Sequence, residues 1–290
     1  MTRTIEIGNG VLSAEISELG AELFRLRDSS GADWLWDGDP AWWSGRAPLL
    51  FPMVGKASGD RIRVAGASHP LPQHGFARRS TFEIVEMTAD ACLLRLRASE
   101  ATRAAYPFSF QLDMAYALEG ATLRLTATVT NEDANPLPCA FGYHPAFRWP
   151  LPGAEGAHEV RFEKPEPCPI RRLTGDGLLG AQEHENPAAS GRLALDPALF
   201  DEGALIFDRL ESRQIAFGPA DSPEVAVSFP DMPHFGLWTK PGAPFLCLEP
   251  WQGFAAPENF DGDFAQRPGV VVLPPGAARA FAMAITIRPA

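Results

Sequence analysis

The chain is poor in the features that mark several large classes of protein. Its four cysteines, Cys92, Cys139, Cys168 and Cys247, are scattered through 290 residues without CxxC spacing. That excludes a disulfide framework and a zinc-finger signature, and leaves buried free thiols as the expectation. Positive charge is in the minority, 25 Lys and Arg against 36 Asp and Glu for a net charge of −11, so the surface on average repels nucleic acid and anionic membranes. No stretch approaches the roughly 18 uninterrupted apolar residues of a membrane span, and MTRTIEIGNG lacks the apolar run of a signal peptide. A cytoplasmic protein with no nucleic-acid or membrane partner is expected. There is no phosphate-binding glycine-rich loop, no GxGxxG after a strand and no HExxH, so no cofactor and no metal are expected.

Helical periodicity is nearly absent, and what replaces it is alternation. In Thr122 to Thr130, Leu123, Leu125, Ala127 and Val129 share one face while Thr122, Arg124, Thr126 and Thr128 share the other. The same period of two runs through 4–7, 12–16, 93–97, 224–229 and 281–287, where Phe281, Met283, Ile285 and Ile287 face one way. Breakers agree, since 26 Gly and 28 Pro cut the chain into strand-length pieces. With 46% hydrophobic residues there is ample material for a core. No composition shift divides the chain. The expectation is an all-β protein of one domain, residues 1–290, a large antiparallel β-sandwich with long surface loops between about Pro150 and Pro197.

Three segments stand out chemically: QHGFAR at 73–78, GYHPAF at 142–147 and CLEPWQG at 247–253. Each sets a His or Glu beside Gly or Pro, where an irregular backbone at a strand end can aim a side chain into a cleft. The residues are His74, His144 and Glu249. For a histidine in an apolar stretch the ordinary role is a hydrogen-bonded structural one. Glu249 follows the apolar run Phe245 to Leu248 and so ends what reads as a buried strand, where an unpaired carboxylate is costly and an ion pair with an arginine is the plain alternative. Two His and one Glu also match a catalytic zinc shell in residue type alone.

These segments, with APLLFPMVGK at 47–56, GAEL at 20–23 and DWLWDGDP at 33–40, resemble in type and order the aldose 1-epimerase family, most closely its LacX-like and hexose-6-phosphate mutarotase branch. The resemblance spans nearly the whole chain. It implies the galactose mutarotase-like supersandwich fold and an isomerase that interconverts the α and β anomers of a hexose or hexose phosphate. It further implies Glu249 as catalytic base, His144 as the acid for the ring oxygen, and His74 as a partner that holds and polarises the substrate. Arg78 and Lys56 resemble residues near a sugar phosphate, with Arg46 as a third. Arg61, in GDRI, resembles instead an arginine that contacts sugar hydroxyls. The family carries an aspartate ahead of a strand resembling ALIF; here Gly203 holds that place, which leaves Asp201 as the candidate.

Trp251, two residues beyond Glu249, is expected to stack on the sugar, while Trp42 and Trp43 read as core. His234 reads as a structural strand-end residue, and His69, His158 and His184 as surface. The expected partner is a small-molecule sugar or sugar phosphate, the expected assembly a monomer or homodimer. Two alternatives belong to other classes: a sugar-binding or regulatory protein without turnover, and a glycoside hydrolase or lyase, for which a second placed carboxylate is missing.

Overall fold

A computed structural model describes residues 3–290. Two antiparallel sheets form the body. The larger has nine strands, in spatial order Arg192–Ala194, Glu159–Phe162, Gln214–Gly218, Glu224–Ser228, Ala278–Arg288, Thr122–Asn131, Phe110–Glu119, Ala91–Arg97 and Glu83–Met87. The smaller runs Leu205–Phe207, His234–Trp238, Phe245–Gln252, Phe141–Tyr143 and Leu49–Leu50, with Ala146–Arg148 also paired to Phe245–Gln252. A three-stranded sheet, Thr4–Gly8, Leu12–Ser17 and Leu23–Asp28, packs beside them. The one α-helix among the described residues is the six-residue Glu100–Ala105, capped by Ser99.

The alternation legible in the sequence is the alternation of burial. Leu123, Leu125, Ala127 and Val129 are buried, and so are Phe281, Met283, Ile285 and Ile287 on the neighbouring strand, paired in register from Thr122↔Thr286 to Thr130↔Ala278. Against this face lies the smaller sheet, through Phe141, which stacks on Phe281, and through Phe235, Leu246 and Leu248. Tyr143 ties the two sheets together. Its hydroxyl accepts from the Ala127 N–H and donates to the Phe281 carbonyl, so a buried phenol is satisfied by two backbone groups of the opposite sheet.

Two sequence expectations change here. The segment from Pro150 to Pro197 is not only loop: it supplies the strands Glu159–Phe162 and Arg192–Ala194, and it buries Glu166, whose carboxylate accepts the Glu211 and Ser212 N–H groups. His158 is not at the surface. It is buried, its Nε2 accepts the Leu151 N–H, and burial pushes its pKa down. The thiol reading holds for Cys92, Cys139 and Cys247, which are buried, while Cys168 is partly exposed; Trp42 and Trp43, expected in the core, are only partly buried.

Candidate active site

The strand Phe245–Gln252 is buried along its whole length, and its two faces have different neighbours. Leu246 and Leu248 enter the core between the sheets. Phe245, Cys247, Glu249 and Trp251 project from the opposite face. Glu249 therefore does not end the strand, which continues to Gln252; it stands in the middle, on the face turned away from the core. Its neighbours follow from register. The pairings Gly142↔Trp251 and Ala146↔Cys247 set His144 opposite Glu249 on one side, and Gly236 pairs with Glu249 on the other.

The floor of the site is the Trp251 indole. It spans the two neighbouring strands because each offers a glycine there: a Cβ on Gly142 would lie 2.5 Å from indole Cδ1, and one on Gly236 would lie 2.4 Å from Cη2. No larger residue fits at either place while the ring lies flat. The indole nitrogen is buried and has no partner at hydrogen-bond length, but it stands close enough to the Glu249 carboxyl to favour the ionised acid.

Above this floor opens a cavity of about 330 Å³, at the small end of the range for ligand pockets. His74, His144, Glu249, Arg78 and Trp251 all line it, with Trp43, Trp238 and Gln73 among the polar and aromatic walls and Val54, Leu173 and Ile206 among the apolar ones. His144 Nε2 lies 3.1 Å from Glu249 Oε2, and both side chains are nearly inaccessible. Burial pushes the Glu249 carboxyl well above its ordinary value, with the nearby Trp251 indole acting in the opposite sense, and it pushes His144 down to about 3. Burial thus disfavours the charged form of each group, and the pair favours carboxylic acid and neutral imidazole over the ionised forms.

His74 comes from a different part of the chain. Its φ of 65° is in the left-handed region, uncommon for a non-glycine residue, and hydrogen bonds hold it there: its N–H donates to the Gly55 carbonyl at 2.7 Å, while the Gly55 N–H donates to its Nδ1 at 3.1 Å. Accepting at Nδ1 places the ring proton on Nε2 in the neutral form. Burial first, then the adjoining His144 ring and the guanidinium groups of Arg78, Arg79 and Arg267, lowers its pKa well below the usual value. The rings of His74 and His144 meet edge to face at 5.9 Å, and Trp43 lies 5.0 Å from His144 on another side.

The remaining sequence candidates scatter. Arg78, on the short turn Ala77–Arg79, reaches the cavity; Nη2 donates to the Gln73 carbonyl and Nε is buried without a partner. Lys56 does not line the cavity and pairs instead with Asp60 at 3.7 Å. Arg46 folds over the Phe24 ring and donates to the Phe24 carbonyl. Arg61 turns to Ser68 and lines a separate cavity. Asp201 is exposed just after the turn Pro197–Phe200, and it is Gly203 and Ala204 that line the site. His234 is structural, accepting the Gly253 N–H at Nδ1.

Several contributors were not singled out from the sequence. Trp43, read as core, lines the cavity and with Trp238 flanks His144, while Gly142 and Gly236 make room for the floor. A glycine within an apolar strand is itself a sign of close approach, so the latter pair was findable. Cys247, two residues from Glu249 on the same face, brings its sulfur within 4.8 Å of donor atoms of His144 and Glu249, a set that could hold a soft divalent cation. Burial pushes that thiol well up, with Glu249 adding to the effect, which opposes the deprotonation that ligation requires.

Comparison with known proteins agrees with this architecture. The chain is 32% identical over 287 residues to the chromosomal protein LacX of Lactococcus lactis subsp. lactis, covering 93% of this chain and 95% of that one. Among solved structures, a galactose mutarotase-like protein from Lactobacillus casei ATCC 334 superposes with a TM-score of 0.91 at 28% identity, covering 99% of this chain and 100% of that one. A galactose mutarotase related enzyme from Lactobacillus acidophilus gives 0.90 at 27% identity, covering 99% and 97%. The family model for aldose 1-epimerase matches residues 3–285. With that match running through both sheets and all three segments that meet at the cavity, the chain belongs to the aldose 1-epimerase family.

Proposed function

We propose that this protein is an aldose 1-epimerase that interconverts the α and β anomers of a neutral aldohexose by acid–base ring opening and closure. The observation that carries the reading is the buried His144–Glu249 pair, its nitrogen and oxygen 3.1 Å apart, opening onto a cavity that also holds His74. Opening a pyranose removes the C1 hydroxyl proton and delivers one to the ring oxygen; the C1–O5 bond breaks and the C1 carbonyl forms, with no net change in protons. A pair that holds one proton matches that balance. Glu249 as carboxylate takes the hydroxyl proton while His144 as imidazolium protonates O5. The free aldehyde turns about C1–C2, and the reverse transfers close the ring on its other face. The pair thereby regains its starting tautomer.

Burial favours the proton on Glu249. The charge-separated tautomer differs only by a proton passed across the 3.1 Å between His144 Nε2 and Glu249 Oε2, and hydroxyls of a bound sugar supply the polar surroundings that stabilise it. His74 offers its Nε2–H to the ring oxygen or an adjacent hydroxyl, Arg78 a donor to another hydroxyl, and Trp251 a flat surface for the apolar face of the ring. Of Arg46, Lys56 and Arg78 only Arg78 lines the cavity, and this supports an uncharged hexose over its phosphate, for which convergent cations are the usual recognition.

Replacing Glu249 by Gln keeps the size and removes the base. Anomer exchange is expected to fall by roughly 10²–10⁴-fold with sugar affinity changed far less. A Glu249→Gln protein that keeps most of its activity would overturn the assignment of the base.

A further inference from the structure

Behind the sugar cavity lies a second one, of about 250 Å³, whose lining includes Arg61, Arg63, Arg267, Ser58, Ser68 and Asp261. Its unusual member is Arg267, only 3% exposed. One nitrogen, Nη2, donates to the carbonyls of Val54 and Phe254, while Nε and Nη1 are buried with no hydrogen-bond partner. None of the three arginines is in an ion pair among the described residues. A guanidinium buried without a counter-ion is among the costlier arrangements a fold can hold, and here burial pushes its pKa down to about 9. Arg61 is held by Ser68, with Nε on the hydroxyl and Nη2 on the carbonyl. Against three cationic side chains the lining sets one carboxylate, Asp261, so the cavity is net positive.

We propose that this second cavity is a binding site for a small oxyanion of the phosphate or carboxylate class, with Arg267 as its buried anchor and Arg61 and Arg63 at its mouth. Planar guanidinium groups with unused N–H donors suit such oxygens, and an anion supplies the missing partner for Arg267. The site is separate from the sugar pocket but not isolated from it. Arg267 grips Val54 and Phe254, and the residues that follow them, Gly55 and Ala255, line the sugar cavity. Gly55 is also the residue that fixes the His74 ring. An anion on Arg267 would brace the two segments that form one wall of the sugar site.

The test is thermal unfolding of the full chain in inorganic phosphate, sulfate, acetate or chloride at matched ionic strength. Parallel measurements use an Arg61→Ser/Arg63→Ser variant, whose changes are at the surface, an Arg267→Met variant and an Arg78→Ala variant. The expected result is a saturable rise in Tm of about 2 °C or more at tenfold excess over Kd with an oxyanion and not with chloride. Affinity should weaken about tenfold or more in the Arg61/Arg63 variant and be unchanged in Arg78→Ala. A larger effect of phosphate and sulfate than of acetate assigns tetrahedral dianions, and the reverse assigns carboxylates; either supports the site. If Arg267→Met folds, its Tm should be insensitive to the anion. No specific oxyanion effect overturns the proposal, as does an effect that survives in the Arg61/Arg63 variant or disappears only in Arg78→Ala.

Discussion

Substituting Gly236 by Ala places one methyl group under the Trp251 indole that floors the cavity. The added carbon would lie 2.4 Å from Trp251 Cη2 and 2.6 Å from Cζ2, whereas carbon atoms pack at about 3.5–4.0 Å. The ring must therefore move by about 1 Å. It cannot slide along the sheet face, because its other end is already against Gly142, where the same test gives 2.5 Å to Cδ1. Nor can it sink, since Leu50, Val54, Ala140 and Phe254 pack around it. The remaining direction is up, into a cavity of about 330 Å³. A displacement of that size in a fitted site costs on the order of 10²-fold in productive binding, and overpacking of this kind costs about 1–3 kcal/mol of stability. The assay is a sugar titration by tryptophan fluorescence with anomer exchange measured in parallel. A Gly236→Ala protein with wild-type affinity and exchange would refute the picture of Trp251 as the floor.

His144→Asn should lower exchange about as much as Glu249→Gln, and the double substitution should cost much less than the product of the two, since both act on one proton inventory at 3.1 Å; multiplicative losses in steady-state rates would show that they act separately. Acid should destabilise the fold through its buried histidines. His144 and His234 are held neutral with pKa values pushed down to about 3 and 4, so at pH 5 the unfolded chain binds protons that the folded one refuses, costing about 2 kcal/mol for each. Glu249, shifted upward by burial, favours folding in the opposite sense as pH falls, which leaves a net loss led by the histidines. Tm should accordingly drop between pH 7 and pH 5; a Tm independent of pH would contradict the neutral assignment.

What the sequence discloses of this site follows strand parity, and what it hides follows reach. Alternation through Thr122–Asn131 and Ala278–Arg288 is enforced by a half-buried sheet, where a slip of one residue would turn every leucine outward, so it is legible without coordinates. The same parity puts Cys247, Glu249 and Trp251 on one face, although the unbroken burial of 245–252 disguises where that strand stops. Whether a basic residue near a motif reaches the cavity is a different matter. Arg78 and Lys56 stand in equally suggestive segments, yet Arg78 turns inward beside Gln73 while Lys56 swings to Asp60. Arg61 is drawn to Ser68 across its own hairpin. Each of those partners is near in sequence, so what local spacing fails to encode is which way the folded backbone turns the side chain. His158 is misread for the same reason, since its ligand, the Leu151 N–H, belongs to a loop that closes over it.

The most direct test of the proposed chemistry is anomer exchange followed by magnetisation-transfer NMR on the wild-type protein, with glucose, galactose and glucose 6-phosphate offered separately. The expected result is exchange accelerated well above the buffer rate for a free hexose, with glucose 6-phosphate the poorer substrate because Arg78 alone of the three candidate cations lines the cavity. Saturable sugar binding with no acceleration for any of the three would contradict it, and would leave a cavity that holds a sugar without turning it over.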